Sequence, residues 1–192
     1  GIVRVEPGVT FAELATYLAR RRSRFFVPEI GGAPDASVLA NALDRGDGAL
    51  SDRWASIGDL TIVLPDGRVI DTGYSAVRAE RLAGLHPGPA GPLVDGLFSQ
   101  SNFGIVVAAT VRLEPMPENL AIFNAQVESL DRLSDLLDVW RTMQISGAVG
   151  DRAATLWNGV KCLAREAPRA DHDEADVRRA ETELWRLSGF VR

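Results

Sequence analysis

The sequence predicts an α+β fold, from two kinds of local pattern and one turn. Short apolar runs bounded by Pro and Gly alternate with amphipathic stretches that open on capping residues. Between two apolar runs lies Pro65-Asp66-Gly67, the strongest hairpin signal in the chain.

Taken in order, Ile2 to Val5 reads as a strand that ends at the turn Glu6-Pro7-Gly8. Thr10, with Glu13 three residues on, forms a capping box and starts a helix running to about Arg22. Phe11, Leu14, Ala15 and Leu18 recur at helical spacing on one face. Arg20, Arg21, Arg22 and Arg24 gather at the C-terminal end, where cations suit the helix dipole, so the run reads as a solvated helix end rather than a phosphate site. Phe25 to Pro28 is a short apolar run, followed by the loop Gly31-Gly32-Ala33-Pro34-Asp35, whose glycines permit close approach of something bulky.

Ser37 caps a short helix, Val38 to Leu43, which stops at Asp44-Arg45-Gly46-Asp47-Gly48. Leu60–Leu64 and Arg68–Asp71 are the hairpin strands. A Gly- and Pro-rich stretch from Tyr74 to Pro92 leads into Asp95 to Gly104 and then the strand Ile105 to Leu113. Glu114-Pro115-Met116-Pro117-Glu118 reads as a linker, because two prolines interrupt a ladder. Beyond it, Ala121–Val127 predicts a strand and Asp131–Met143 a helix with Leu133, Leu136, Leu137 and Trp140 on one face. Ala153 to Glu166 has no assignable pattern, and Asp171 to about Leu187 predicts a charged helix.

At 192 residues with 46% hydrophobic content, the chain can bury a real core. A net charge of -5 argues against general nucleic-acid binding. No run approaches the roughly eighteen apolar residues of a membrane span. A soluble, cytoplasmic protein is therefore the expectation. The one cysteine, Cys162, forms no internal disulfide and reads as a small buried residue; with two histidines and no second cysteine, a closed zinc site is not expected. Because Ile2 to Val5 reads as a strand with no lead-in after Gly1, the numbering is expected to begin inside a larger protein or after processing.

The ordered set Val5 to Thr10, Val27-Pro28 with its Gly loop, Ser37 to Gly46, Pro65 to Arg68 and Asp95 to Gly104 resembles the FAD-linked oxidase family of the vanillyl-alcohol oxidase, p-cresol methylhydroxylase and eugenol oxidase type. The resemblance covers about residues 3–117, with 118–192 only loosely like the start of the family's cap domain. It implies that 1–117 is the second lobe of a two-lobed α+β FAD-binding domain and that 118–192 is part of an α+β cap. The first lobe, with its pyrophosphate-gripping loop, would precede Gly1, and later cap segments would supply the groups that stabilise a phenolate. The chain would then be a truncated form of such an enzyme.

On the matching positions, the resemblance implies that Pro7, Gly8, Gly31, Gly32, Gly46 and Gly48 let backbone N–H groups face the flavin or its phosphates. Ser37 would lie near the phosphate or ring, Asp44 would accept ribose hydroxyls, and Ile105 and Val106 would offer backbone groups to the adenine region. Ordinary turns are the competing reading for these glycines. The family's carboxylate near the reactive flavin nitrogen corresponds to Glu29 or Asp35, each of which also reads as a solvent-exposed loop acid. His86 reads as a loop-packing residue and His172 as an exposed helix-start residue.

The implied activity is hydride transfer from a phenolic or small aromatic alcohol to non-covalently bound FAD. The competing function is a truncated, flavin-free relative serving as a partner subunit, a binding module or a cofactor-independent catalyst such as a cyclase. A homo-oligomer or a completing partner chain is expected in either case, since an incomplete domain exposes apolar surface.

Overall fold

The computed structural model describes residues 1–27, 33–46, 53–82, 92–119, 121–149, 154–166 and 174–191. They form two compact units, Gly1–Met116 and Pro117–Arg192, of mixed helix and sheet.

In the first unit the strands are β1 (Ile2–Val5), β2 (Phe25–Phe26), β3 (Ile57–Val63), β4 (Val69–Asp71), β5 (Ile105–Arg112) and β6 (Glu114–Pro115). The helices are α1 (Phe11–Arg20) and α2 (Val38–Leu43). Four strands make an antiparallel sheet in the order β1-β5-β3-β4. Leu60 and Ile62 of β3 and Val106, Ala109 and Val111 of β5 are buried, and they pack with Phe11, Leu14 and Leu18 of α1 and Val38 and Leu39 of α2. Polar residues line the other side, where the Arg4 guanidinium donates to the Asp59 carbonyl at 3.0 Å and to the Thr61 hydroxyl.

The α1 capping box forms as read, with the Glu13 amide donating to the Thr10 hydroxyl at 3.2 Å and the Thr10 amide to the Glu13 carboxylate at 2.9 Å. These bonds hold the Glu13 carboxyl below its ordinary pKa. The helix stops at Arg20, two residues before the predicted end. Arg22 is left-handed at φ 49°, so the Ser23 amide reaches the Leu18 carbonyl and the Arg22 amide that of Ala19. This closure satisfies orphan carbonyls but places a Cβ where glycine is favoured. Arg22→Gly is therefore expected to stabilise this unit by about 1 kcal/mol, read as a higher thermal midpoint; an unchanged or lower midpoint would contradict it.

The predicted linker at Glu114-Pro115 is in fact β6, paired with Phe25–Phe26. The prolines do not prevent this, because a two-residue edge needs little: the Met116 amide, not Pro115, donates to the Arg24 carbonyl at 2.7 Å.

The second unit holds β7 (Ala121–Val127), α3 (Leu133–Ile145), β8 (Ala154–Asn158), α4 (Gly159–Glu166), α5 (Glu174–Glu183) and β9 (Trp185–Val191). Its sheet order is β7-β9-β8, with β9 antiparallel to both neighbours, so β7-α3-β8 is a split βαβ unit. Phe123 meets Trp140 of α3 at 6.3 Å between ring centroids, and Leu136, Cys162, Ala180 and Leu187 are buried.

Three readings change here. The helix expected from Asp131 begins at Leu133 after a 3-10 turn, Leu130–Arg132. Ala153 to Glu166, without an assignable pattern in sequence, contains β8 and α4. The charged helix ends at Glu183, short of the expected Leu187, and Trp185 onward is the central strand of the sheet; pairing on both sides outweighs the helical pattern.

Candidate functional site

The site is a ridge built at the ends of β1, α2 and β5. After β1, the Val9 amide closes the Pro7-Gly8 turn on the Glu6 carbonyl at 3.1 Å. The segment before α2 is strapped to the start of α1: Phe11 donates to Ala36 at 3.1 Å, Ala12 to Pro34 at 2.8 Å and Val38 to Val9 at 3.0 Å. These bonds bring Ser37 beside Thr10, as a β-bridge between the two records. The Ser37 hydroxyl accepts the Ala40 amide at 3.1 Å, so it caps α2.

At the far end of α2, roughly 10 Å from Ser37 at about 1.5 Å per residue, stand Asp44 and Gly46. Arg45 between them is left-handed at φ 58°, and the Gly46 amide returns to the Asn41 carbonyl at 2.8 Å. A loop from the second half of the sequence docks on this end. The Ser99 hydroxyl donates to the Leu43 carbonyl at 2.9 Å, the Gln100 amide to the same carbonyl at 3.1 Å and the Gln100 side chain to the Asp44 carbonyl at 3.1 Å. That loop continues through Gly104 into β5. Ile105 is 70% exposed while Val106 is buried. Because β1 covers β5 only from Ala109 to Arg112, the β5 edge over residues 105–108 has no strand partner on that side among the described residues.

Of the residues singled out in the sequence, Pro7, Gly8, Ser37, Asp44, Gly46, Ile105 and Val106 thus lie on segments tied together by backbone hydrogen bonds. Asp35 sits in an exposed turn of the strap. Glu29, Gly31, Gly32, Gly48, His86 and His172 lie outside the described residues. The two described glycines behave differently. A Cβ at Gly8 would meet nothing within 4 Å, and Gly8 borders a cleft of about 860 Å3 between β1 and α1. A Cβ at Gly46 would strike the Asn41 side chain at 2.4 Å, so glycine there serves packing.

Sequence reading missed Asn41, Ser99, Gln100 and Asp95. Asn41 Oδ1 is buried beside Gly46 with no hydrogen-bond partner among the described residues. Asp95, only 9% exposed, opens the 3-10 turn Asp95–Phe98 and also has an unpartnered buried oxygen, Oδ1. Burial pushes the Asp95 carboxyl above its ordinary pKa, and the like charge of Asp59 adds to this. Their segments, Ser37 to Gly46 and Asp95 to Gly104, carry the resemblance, but within them only the polar run Ser99-Gln100-Ser101-Asn102 between apolar residues hints at individual roles.

Residues 1–73 match the FAD binding domain family. Over 164 residues the chain is 37% identical to the 1'-carboxy-chondrochloren decarboxylase of Chondromyces crocatus, covering 84% of this chain and 30% of that protein. It is 27% identical over 158 residues to the 4-cresol dehydrogenase [hydroxylating] flavoprotein subunit of Pseudomonas putida, covering 80% of this chain and 30% of that one. The 4-ethylphenol oxidase of Gulosibacter chungangensis superposes on 100% of the chain and 39% of its own, with TM-score 0.86 at 25% identity. The chain thus spans under a third of the length of these curated relatives.

The chain carries an FAD-binding-domain segment of the FAD-linked oxidase family of the vanillyl-alcohol oxidase and p-cresol methylhydroxylase type. FAD is the cofactor of that family, and the ridge has features that fit it: open space at Gly8 and, among the described residues, a backbone edge without a strand partner on the β1 side at Ile105 and Val106 and a buried acceptor without a partner at Asn41. Among the described residues, no helix is long and apolar enough to cross a membrane.

Proposed function

We propose that this chain is part of an FAD-dependent oxidoreductase that oxidises a phenolic or small aromatic alcohol, with the flavin held non-covalently. The β5 edge at Ile105–Val106, without a strand partner on the β1 side among the described residues and beside the end of α2, is the observation that carries the reading. Backbone N–H and C=O groups on such an edge can bond the edge of a purine as they would a neighbouring strand. The Asp44 carboxylate, exposed at the C-terminal end of α2, is suited to accept ribose hydroxyls. Gly8, with no side chain to hinder approach, presents backbone to the phosphates, and Ser37 flanks them; Gly31, Gly32, Gly46 and Gly48 complete the proposed contacts.

Bound FAD would supply hydride acceptance, and the protein would supply position and electrostatics. For a 4-alkylphenol, loss of hydride from the benzylic carbon would leave an electrophilic carbon that water attacks, and Glu29 or Asp35 is proposed as the carboxylate that takes the proton of that water, a role that requires it to be held beside the substrate. The relatives named for cresol and ethylphenol support the substrate class. We further propose that residues 1–117 act as the second lobe and 118–192 as part of the cap.

The large exposed residues Leu97, Phe103 and Ile105 support association with a second copy or a completing chain. A monomeric mass by light scattering would remove that part of the proposal.

The deciding experiment titrates the chain with FAD and follows the visible spectrum, for the wild type, Asp44→Ala and His172→Ala. Asp44→Ala should weaken binding about tenfold, the loss of roughly one good polar contact, and His172→Ala should leave it unchanged. Equal affinities for the two variants would sink the assignment of Asp44. No spectral change at high FAD would favour the cofactor-free reading.

A further inference from the structure

We infer that Arg53 is a positioning residue for the FAD site: its buried guanidinium lies over the Phe11 ring and its amide donates to the Gly46 carbonyl, which pins the C-terminal end of α2 to the start of α1. This rests on the reading of that ridge as the cofactor site.

The need for a pin follows from how α2 is held. At its N-terminal end the strap fixes it, through the Phe11 amide on the Ala36 carbonyl, the Val38 amide on the Val9 carbonyl and the bridge between Thr10 and Ser37. A helix of six residues held at one end can pivot, and its own hydrogen bonds do nothing to stop it. At the other end Ser99 and Gln100 bond the Leu43 and Asp44 carbonyls, but Gln100 is exposed and water can take its place.

Arg53 holds this end from the buried side, at 3% exposure. Its amide donates to the Gly46 carbonyl at 3.1 Å, directly after the left-handed Arg45. Its guanidinium carbon stands 5.0 Å from the centre of the Phe11 ring, within the range of a cation–π contact. Phe11 is itself buried in the core and opens α1. Arg53 is set in turn from the sheet side. Its carbonyl accepts the Ser56 amide at 3.0 Å and the Ser56 hydroxyl at 2.7 Å, in the 3-10 turn Trp54–Ser56 that leads into β3. The contacts form a closed circuit: from Phe11 to Ala36, along α2 to Gly46, and back through Arg53 to Phe11. Tilting α2 breaks that circuit.

The residue type suits the task. A buried cation costs desolvation that a neutral side chain of the same length avoids, so its surroundings must return it. Guanidinium is planar, stays charged and is more weakly hydrated than an ammonium, and it can lie on a ring face inside a core. The consequence for the ligand is geometric. Gly8 and Ser37 lie on segments fixed by α1 and the strap, while Asp44 lies on the segment fixed through Gly46. The Arg53 circuit therefore sets the span between the proposed phosphate and ribose contacts.

The test compares the full wild-type chain with Arg53→Met, which keeps length and packing without charge, and Arg53→Lys, which keeps the charge. FAD affinity is measured by spectral titration. Arg53→Met should bind FAD about tenfold more weakly, and Arg53→Lys should stay within about threefold of wild type. Wild-type affinity in Arg53→Met, or equal losses in the two variants, would overturn the inference.

A second readout does not need flavin. It is amide exchange at Gly46, bonded to the Asn41 carbonyl at 2.8 Å, relative to Thr72, bonded to the Leu60 carbonyl at 2.9 Å in the sheet of the first unit. In Arg53→Met the Gly46 amide should exchange about tenfold faster while Thr72 keeps its wild-type rate. Equal acceleration of both would mean a general contribution to the core and would overturn the inference, as would an unchanged rate at Gly46. If Arg53→Met does not fold, Phe11→Leu, which removes the ring and keeps an apolar side chain, carries the same expectations and the same overturning results. Failure of every protein to bind FAD, wild type included, with selective acceleration at Gly46, would instead remove the cofactor assignment and leave Arg53 as the pin of α2.

Discussion

Leu39→Ala is expected to destabilise the first unit by about 3 kcal/mol and to abolish measurable FAD binding at micromolar protein. Leu39 is fully buried, and α2 is only six residues long. So short a helix has almost no stability of its own; it persists because Val38, Leu39 and Ala42 are buried. Removing the Leu39 side chain loses its transfer free energy and leaves a cavity among residues that include Leu60 and Ile62. The functional effect follows from position, since Ser37 and Asp44 are the two ends of this helix. Chemical denaturation followed by tryptophan fluorescence gives the stability change, and spectral titration the binding. A loss below about 1 kcal/mol, under the usual range for a buried leucine, would mean that α2 is not seated as described.

Gly104→Ala is expected to cost about 2 kcal/mol through overpacking. The added Cβ would lie 2.6 Å from Ile62 Cγ2, 3.1 Å from the Val63 carbonyl oxygen and 3.3 Å from the Phe98 ring. None of these can yield cheaply: Ile62 is fully buried, the carbonyl belongs to β3, and Phe98 is buried in the core. Relief would come from moving the start of β5 away from β3, which displaces Ile105 and Val106 together. The variant should therefore lose stability and weaken FAD binding in the same measurements. Wild-type stability with unaltered binding would contradict the close approach of these two strands.

These two substitutions mark different depths of reading. Leu39 could be placed from the sequence, since Ser37 and the apolar residues after it define a capped helix by themselves. Gly104 could not be assigned its reason in that way. It reads as one more glycine before a strand until β5 is seen lying against β3, about forty residues earlier in the chain. Gly46 makes a related point: the resemblance assigns it to a ligand, and the structure adds a second demand for glycine there, since a Cβ would meet the Asn41 side chain.

What the sequence by itself determined was local: the capping box at Thr10 and Glu13, the α2 boundaries, the Pro65-Asp66-Gly67 hairpin, the strands Ile105 onward and Ala121–Val127, and, through the order of its motifs, the kinship with FAD-linked oxidases. Each is written in contiguous residues, where hydrogen-bonding side chains, turn geometry and side-chain period act within a few positions. The tertiary structure alone decided that β5 lies between β1 and β3, that the residues after Trp185 become a central strand, that Glu114-Pro115 pairs with Phe25-Phe26, and that Asp95 is buried near Asp59. Those outcomes depend on which distant segments exclude water from one another, and burial of that kind leaves no periodic mark on the residues it joins.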